Sequence, residues 1–280
     1  MPAFEALGGM PYWIDLTTSD PRKSAHFYSE ILGWTGEEEV AGSGYRIARV
    51  QGLPVAGFIP QPEGGGAFPD TWITYFLAED VEAEIRRVTE LGGRVLAEPT
   101  NVQLGRMAVL TDAAGAMFGL IEPAGEDAFV AAGEPGTPVW HELTTTTRYR
   151  EAVDFYHGLL DWDIATMDAG EDFTYATAMA EGAPFAGLWK AEGKFPPQVP
   201  SFWQSYLGVP DVDAAVARVP ELGGEVIREP WDAEFGRMAL ISDSTGATVM
   251  ICTVDVPVEE DGISEAESVL NMDLSELRRQ

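Results

Sequence analysis

The sequence predicts an α+β protein made of two tandem copies of one domain, each copy built from two β-α-β-β-β modules. Three observations carry this. The first is a long internal repeat: Trp13-Ile14-Asp15-Leu16-Thr17-Thr18 returns as Trp140-His141-Glu142-Leu143-Thr144-Thr145, Phe27-Tyr28 as Phe155-Tyr156, and Gly105-Arg106-Met107-Ala108 as Gly236-Arg237-Met238-Ala239. The second is the offset, which drifts from 127 residues at Trp13/Trp140 to 131 at Trp72/Trp203, as it does when a unit is duplicated and its loops then gain a few residues. Such a period is far longer than a solenoid repeat, so each copy is a whole domain. The third is the order of patterns inside each copy: an alternating strand, a capped helix and three short strands, twice over.

Tyr12–Thr18 alternates as a half-buried strand, with Ile14 and Leu16 on one face and Trp13, Asp15 and Thr17 on the other. Asp20 is placed to cap a helix that has Pro21 at its first position and ends at Gly33. Strands follow near 35–40, 45–50 and 55–60, separated by Gly-rich turns. A second strand at 72–78 leads to a helix capped by Asp80, with Val81, Ile85 and Val88 at helical spacing, and Gly92-Gly93 stops it. Three more strands occupy about 94–98, 106–111 and 116–122, and Asp112-Ala113-Ala114-Gly115 forms the last turn. The first domain is thus expected over 11–123, a Pro/Gly/acid linker over 124–138, and the second domain over 139–254. Residues 1–10 read as a loose lead-in. Residues 255–280 form an acidic tail with no counterpart in the first copy, and Ser264–Arg279 has a sparse apolar helical face.

Composition narrows the function classes. The net charge of −29 repels phosphate backbones and anionic lipid, which argues against nucleic acid and membrane partners. No apolar run is long enough to span a bilayer, and one cysteine, Cys252, makes no internal disulfide, which points to the cytoplasm. The expected partner is a small molecule. Because the copies are fused, the chain is expected as a monomer that pairs internally, or as a homodimer.

Two such modules per copy, Phe-Tyr on the first helix, a helix ending in Leu-Gly-Gly and an Asp-x-x-Gly turn before the last strand resemble the vicinal oxygen chelate superfamily. That superfamily includes glyoxalase I, bleomycin-resistance proteins and extradiol dioxygenases, and the tandem arrangement looks most like its two-domain actinobacterial glyoxalase-like members. The resemblance implies two glyoxalase-like domains, each a curved mixed sheet around a cleft. It also implies a divalent metal held by His on one opening strand, His or Gln on the other, and Glu on a closing strand.

The residues at those positions depart from the pattern. Trp13 and Trp140 stand where the first His belongs, Ile73 and Gln204 at the second position, and Gly119 and Met250 at the Glu. The expectation is therefore no resident metal; if one binds, His141, Glu142 and Gln204 are the residues to test. The strand register matches His141 to Ile14, on the packed face.

The remaining candidates are an aromatic lining and two carboxylates. Trp13, Trp72, Trp140, Trp203, Gln204, Met107 and Met238, with Phe118 and Met250, are expected to wall the clefts for a flat apolar ligand. Asp15 and Glu142 each follow a Trp by two residues on the same strand face; desolvation against an indole raises a carboxyl pKa and suits it to proton transfer. Arg106 and Arg237 are candidates to clamp an anionic group, or are surface charges. Cys252 reads as a small buried hydrophobe. Three functions follow from this reading: metal-independent acid/base conversion of a small oxygenated metabolite, sequestration of a drug or metabolite, and a divalent-metal lyase or dioxygenase.

Overall fold

A computed structural model describes residues 3–38, 42–61, 69–125, 129–168, 173–233 and 236–256. In chain order the first half contains β1 (Ala3–Glu5), β2 (Pro11–Thr18), α1 (Pro21–Leu32), β3 (Thr35–Glu38), β4 (Arg46–Val50), β5 (Leu53–Pro60), β6 (Thr71–Leu77), α2 (Val81–Glu90), β7 (Arg94–Val102), β8 (Gly105–Thr111) and β9 (Met117–Pro123). The second half contains β10 (Phe129–Ala131), β11 (Pro138–Thr145), α3 (Tyr149–Leu160), β12 (Asp163–Asp168), β13 (Thr174–Ala180), β14 (Ala183–Lys190), β15 (Phe202–Val209), α4 (Val212–Arg218), β16 (Glu225–Ala233), β17 (Gly236–Ser242) and β18 (Thr248–Thr253).

Each half folds into one eight-stranded mixed sheet, ordered β3-β4-β5-β2-β6-β9-β8-β7 in the first and β12-β13-β14-β11-β15-β18-β17-β16 in the second. The opening strands of the two modules lie antiparallel at the centre, and each has a closing strand parallel to it. The helix signals act as expected. Asp20 accepts from the backbone N–H groups of Arg22 and Lys23, and Gly33 ends α1 at φ 70°. Asp80 caps α2 through the Ala83 N–H.

The lead-in and the linker are more ordered than the sequence suggests. β1 lies in the lead-in and β10 in the linker, and they pair as a small antiparallel sheet. Their backbone groups have no other ladder to join, so each satisfies the other. The sequence over 264–279, with its expected apolar helical face, lies outside the described residues.

The two halves share their cores. Apolar residues of α1 and the first module pack with Val209, Val212, Val216, Ile241 and Ile251 of the second half. Phe76, Val81, Val88 and Phe118 pack with Phe155, Tyr156 and Trp162. The helix-bearing faces of the sheets therefore meet, and the clefts lie on the opposite faces. Trp34 donates to the Gly136 carbonyl at 2.6 Å and Trp162 to the Gly9 carbonyl at 2.9 Å. Both glycines have φ near 80°, and a Cβ on either would come within about 3 Å of a helix-end carbonyl. These duplicated indole bonds button each half to the entry strand of the other.

Candidate functional site

Strand pairing decides which residues share the cleft. Across β2 and β6, Trp13 pairs with Tyr75 and Asp15 with Ile73, whereas Ile14 pairs with Thr74 and Leu16 with Trp72. The same register recurs in the second half: Trp140 with Tyr206, Glu142 with Gln204, His141 with Ser205, and Leu143 with Trp203. Paired residues project to the same side of a sheet, so the first two pairs of each set face the cleft and the last two face the helices.

In the first cleft the Trp13 indole donates to Asp15 Oδ1 at 2.8 Å and the Tyr45 hydroxyl donates to the same oxygen at 3.1 Å. The buried Tyr75 lies against the same carboxyl. Asp15 is only 1% exposed, and its Oδ2 has no hydrogen-bond partner. Burial pushes its pKa up to about 6, although the bonds from Trp13, Tyr45 and Tyr75 pull the other way. Ile47, Ile73, Met107 and Ile121 are buried around it, and Tyr12, Leu104 and Met117 pack over them. This cleft is filled by its own side chains.

The second cleft repeats the constellation with its members more exposed. The Trp140 indole donates to the Tyr175 hydroxyl at 3.2 Å, which donates to Glu142 Oε2 at 3.0 Å. Trp140, Glu142, Tyr175, Gln204 and Tyr206 are all only partly buried. Burial raises the Glu142 pKa, against the bonds from Tyr175 and Tyr206. Met238, Met250 and Cys252 are buried in the wall, with Trp231 packed beside them and the Arg228 guanidinium 3.6 Å above the Trp231 ring. Burial raises the Cys252 thiol pKa, which keeps it protonated.

Glycines make room for the Asp15 carboxyl and for the phenol that holds Glu142. A Cβ at Gly57 would lie 2.0 Å from Asp15 Oδ1 and 2.3 Å from the Tyr45 hydroxyl; at Gly187 it would lie 1.8 Å from the Tyr175 hydroxyl. The tyrosines Tyr45, Tyr75, Tyr175 and Tyr206, together with Trp231, are the site residues that sequence reasoning missed. The repeat contained the signal, because Tyr45/Tyr175 and Gly57/Gly187 recur at one common offset of 130.

Several expected wall residues lie elsewhere. Trp72 and Trp203 face the helices, where their indoles donate to Tyr28 at 3.0 Å and Tyr156 at 2.7 Å. Phe118 also belongs to the helix-side core. Arg106 binds Glu82 and Asn101, and Arg237 binds Asp213 and Asp232. These are surface pairs at the N-terminal turns of α2 and α4 and do not reach the cleft.

The candidate metal set does not assemble. His141 turns to the opposite side of β11 from Glu142 and Gln204, and its Nδ1 lies 3.2 Å from Thr74 Oγ1 and 3.4 Å from Ser205 Oγ. Burial draws its pKa down to about 3, so the ring is neutral. Among the described residues, no three His, Cys, Asp or Glu side chains converge. The first cleft offers one carboxylate with phenols; the second offers one carboxylate, an amide and phenols. That donor set does not fit the family's chelated divalent metal, which needs several imidazole and carboxylate ligands converging at roughly 2.0–2.6 Å.

Known proteins agree with the duplicated architecture. A family model described as "Glyoxalase-like domain" matches residues 13–121, and one for the glyoxalase/bleomycin resistance protein/dioxygenase superfamily matches residues 141–251. The putative glyoxylase CFP32 of Mycobacterium tuberculosis is 33% identical over 245 residues, covering 85% of this chain and 92% of that protein. The anthracycline biosynthesis protein DnrV of Streptomyces peucetius is 34% identical over 257 residues, covering 85% of this chain and 91% of its own length. Among solved structures, the Mn(II)-bound glyoxalase from Novosphingobium aromaticivorans superposes with a TM-score of 0.61 at 14% identity, covering 90% of this chain and 83% of its own. The halotolerant catechol dioxygenase BphC gives 0.59 at 13% identity, covering 91% and 89%. At that identity the structures speak for the fold alone. The chain belongs to the glyoxalase/bleomycin resistance protein/dioxygenase superfamily, with one domain of that kind in each half.

Proposed function

We propose that the second cleft binds a flat, oxygenated, mostly apolar metabolite and that Glu142 moves a proton on it without a metal. One observation carries this reading: Glu142 is a partly exposed carboxyl with a raised pKa, held by Tyr175 and Tyr206, where its counterpart Asp15 is sealed. A desolvated carboxylate is a stronger base than one in water, and a raised pKa favours holding the proton in transit. Glu142 takes a proton from an acidic C–H or O–H of the ligand and delivers it to a neighbouring atom. Tyr175 and Tyr206 orient the carboxyl, while Trp140, Trp231, Met238 and Met250 provide an apolar wall for a planar skeleton. Gln204, opposite Glu142, is an amide able to bond a ligand carbonyl or hydroxyl. The DnrV relative supports a polycyclic aromatic polyketide as the ligand class.

The test uses the full chain and an anthracycline aglycone, followed by mass spectrometry and absorbance. The expected result is a proton-transfer product, formed at least about 100-fold more slowly by Glu142→Gln, with aglycone affinity kept within a few-fold. Full turnover by Glu142→Gln removes Glu142 from the chemistry. A second reading, sequestration without chemistry, is favoured by the thiol beside the aromatic wall, since burial keeps Cys252 protonated and so a weak nucleophile. Tight binding with recovery of unaltered aglycone selects it.

A further inference from the structure

We propose that a cavity at the seam between the two halves is a second binding site, for a flat aromatic cation. It does not depend on the chemistry assigned to Glu142. The cavity encloses about 510 Å³ where the starts of β2 and β11 come together, within the size range of small-molecule sites. Tyr12 and Trp13 of β2, Trp140 of β11 and Phe185 of β14 supply aromatic wall. Trp13 and Trp140 already spend their indole N–H groups on the cleft side, on Asp15 and Tyr175. What they bring to the seam is apolar ring surface.

The charges of the lining have one sign. Among the described lining residues there is no Lys or Arg, and the acids are Glu5 and Glu181, both exposed. His141 is the one imidazole of that lining; it is neutral, with its Nδ1 turned to Thr74 and Ser205. The Glu181 acid is not imposed by its turn. Glu181 sits at φ 50° before Gly182, and its counterpart in the first half, at φ 51° before Gly52, is the uncharged Gln51. A planar ring stacks on indole and phenol faces, and a positive charge is drawn both to those faces and to the rim carboxylates. The chain's net charge of −29 raises the local concentration of cations and repels anions of the same shape.

Thioflavin T, a flat monocation, is the probe, with the anion 1-anilinonaphthalene-8-sulfonate as comparator, both titrated into the full chain. The expected result is saturable thioflavin T binding, with tryptophan quenching, that persists when the aglycone saturates the second cleft and that the anionic dye fails to displace. Glu5→Gln with Glu181→Gln should weaken thioflavin T binding roughly two- to tenfold, the size of two exposed charge contacts. Ala183→Trp, at an exposed lining position, should abolish it while circular dichroism stays that of the native chain. Glu142→Gln should leave thioflavin T affinity unchanged, so failure of this site and failure of the proton-transfer reading are separate results. Three outcomes overturn the proposal: no saturable thioflavin T binding, displacement by the anionic dye, or wild-type titration curves for both the double Gln variant and Ala183→Trp.

Discussion

In the first half the carboxylate behind the indole is Asp15; in the second it is Glu142, and one methylene changes what the indole touches. Trp13 bonds Asp15 directly, whereas Trp140 reaches Glu142 through the Tyr175 hydroxyl. The positions around them diverge in the same sense. Ile73 faces Asp15 where Gln204 faces Glu142, and the first carboxyl is sealed at 1% exposure while the second is partly exposed. Duplication supplied two frames of one register; the carboxyl was sealed in one and left partly exposed in the other. A buried carboxyl in a sealed wall is a cost to stability, and the same group at an open wall is a tool.

The largest effect expected from this contrast is on turnover. Asp15→Asn should change conversion of the aglycone by less than about threefold, set against the loss of about 100-fold or more expected for Glu142→Gln. Equal losses in the two variants would make the clefts functionally alike and end the contrast.

Next is pH-dependent stability. The Asp15 pKa is raised from 3.8 to about 6 in the folded chain, so between those values the folded state holds a proton that the unfolded state has released. Stability is therefore highest below about pH 4 for this group and falls as pH rises through about 6. The two-unit difference corresponds to about 3 kcal/mol. Asp112, raised to about 6 by burial in its turn, and Glu84, raised to about 7, act in the same direction, and His141, drawn down to about 3, opposes them below about pH 6.5 without cancelling all three. Urea unfolding at pH 5 and pH 8 should show wild type more stable at pH 5, and Asp15→Asn should flatten part of that slope by gaining stability at pH 8. An unchanged slope would mean that Asp15 is not the buried acid it is taken to be.

The glycines sharpen the same comparison. Gly57→Ala drives a methyl into Asp15 and Tyr45 inside a filled cleft and should cost about 1–3 kcal/mol. Gly187→Ala meets the phenol of Tyr175, a partly exposed side chain, so it should cost less stability while releasing Glu142 from its hydroxyl. Thermal unfolding of the pair gives the ranking; the reverse order would show the second cleft to be the tighter one.

The fold was legible because the repeat tied every weak local signal to a second instance. Strand alternation correctly put Trp13 with Asp15 and Trp140 with Glu142 on one face, and set His141 on the other. It failed at Trp72 and Trp203, because alternation within β6 or β15 gives two faces without saying which meets the cleft. The antiparallel partner decides that, and Leu16 and Leu143 pull both indoles to the helix side. For Arg106 and Arg237 the sequence left clamp and surface charge both open, because the deciding partners, Glu82 and Asp213, are distant in sequence and come beside them only when α2 and α4 dock. The tyrosines were readable in principle, since a phenol and a glycine recurring at one offset mark a shared steric requirement. No motif drew attention to them.

The smallest effects test those corrections. Trp203→Phe removes the donor to the Tyr156 hydroxyl within a buried aromatic cluster and should cost about 1–2 kcal/mol of stability, with aglycone affinity unchanged. Arg237→Ala should leave both melting temperature and affinity where they were, because its partners Asp213 and Asp232 are solvent-exposed and outside the cleft. A cleft-facing Trp203 or a ligand-clamping Arg237 would show the opposite signature: lost affinity at constant stability. Affinity and melting temperature measured together on these two variants therefore decide which face of the sheet the ligand sees.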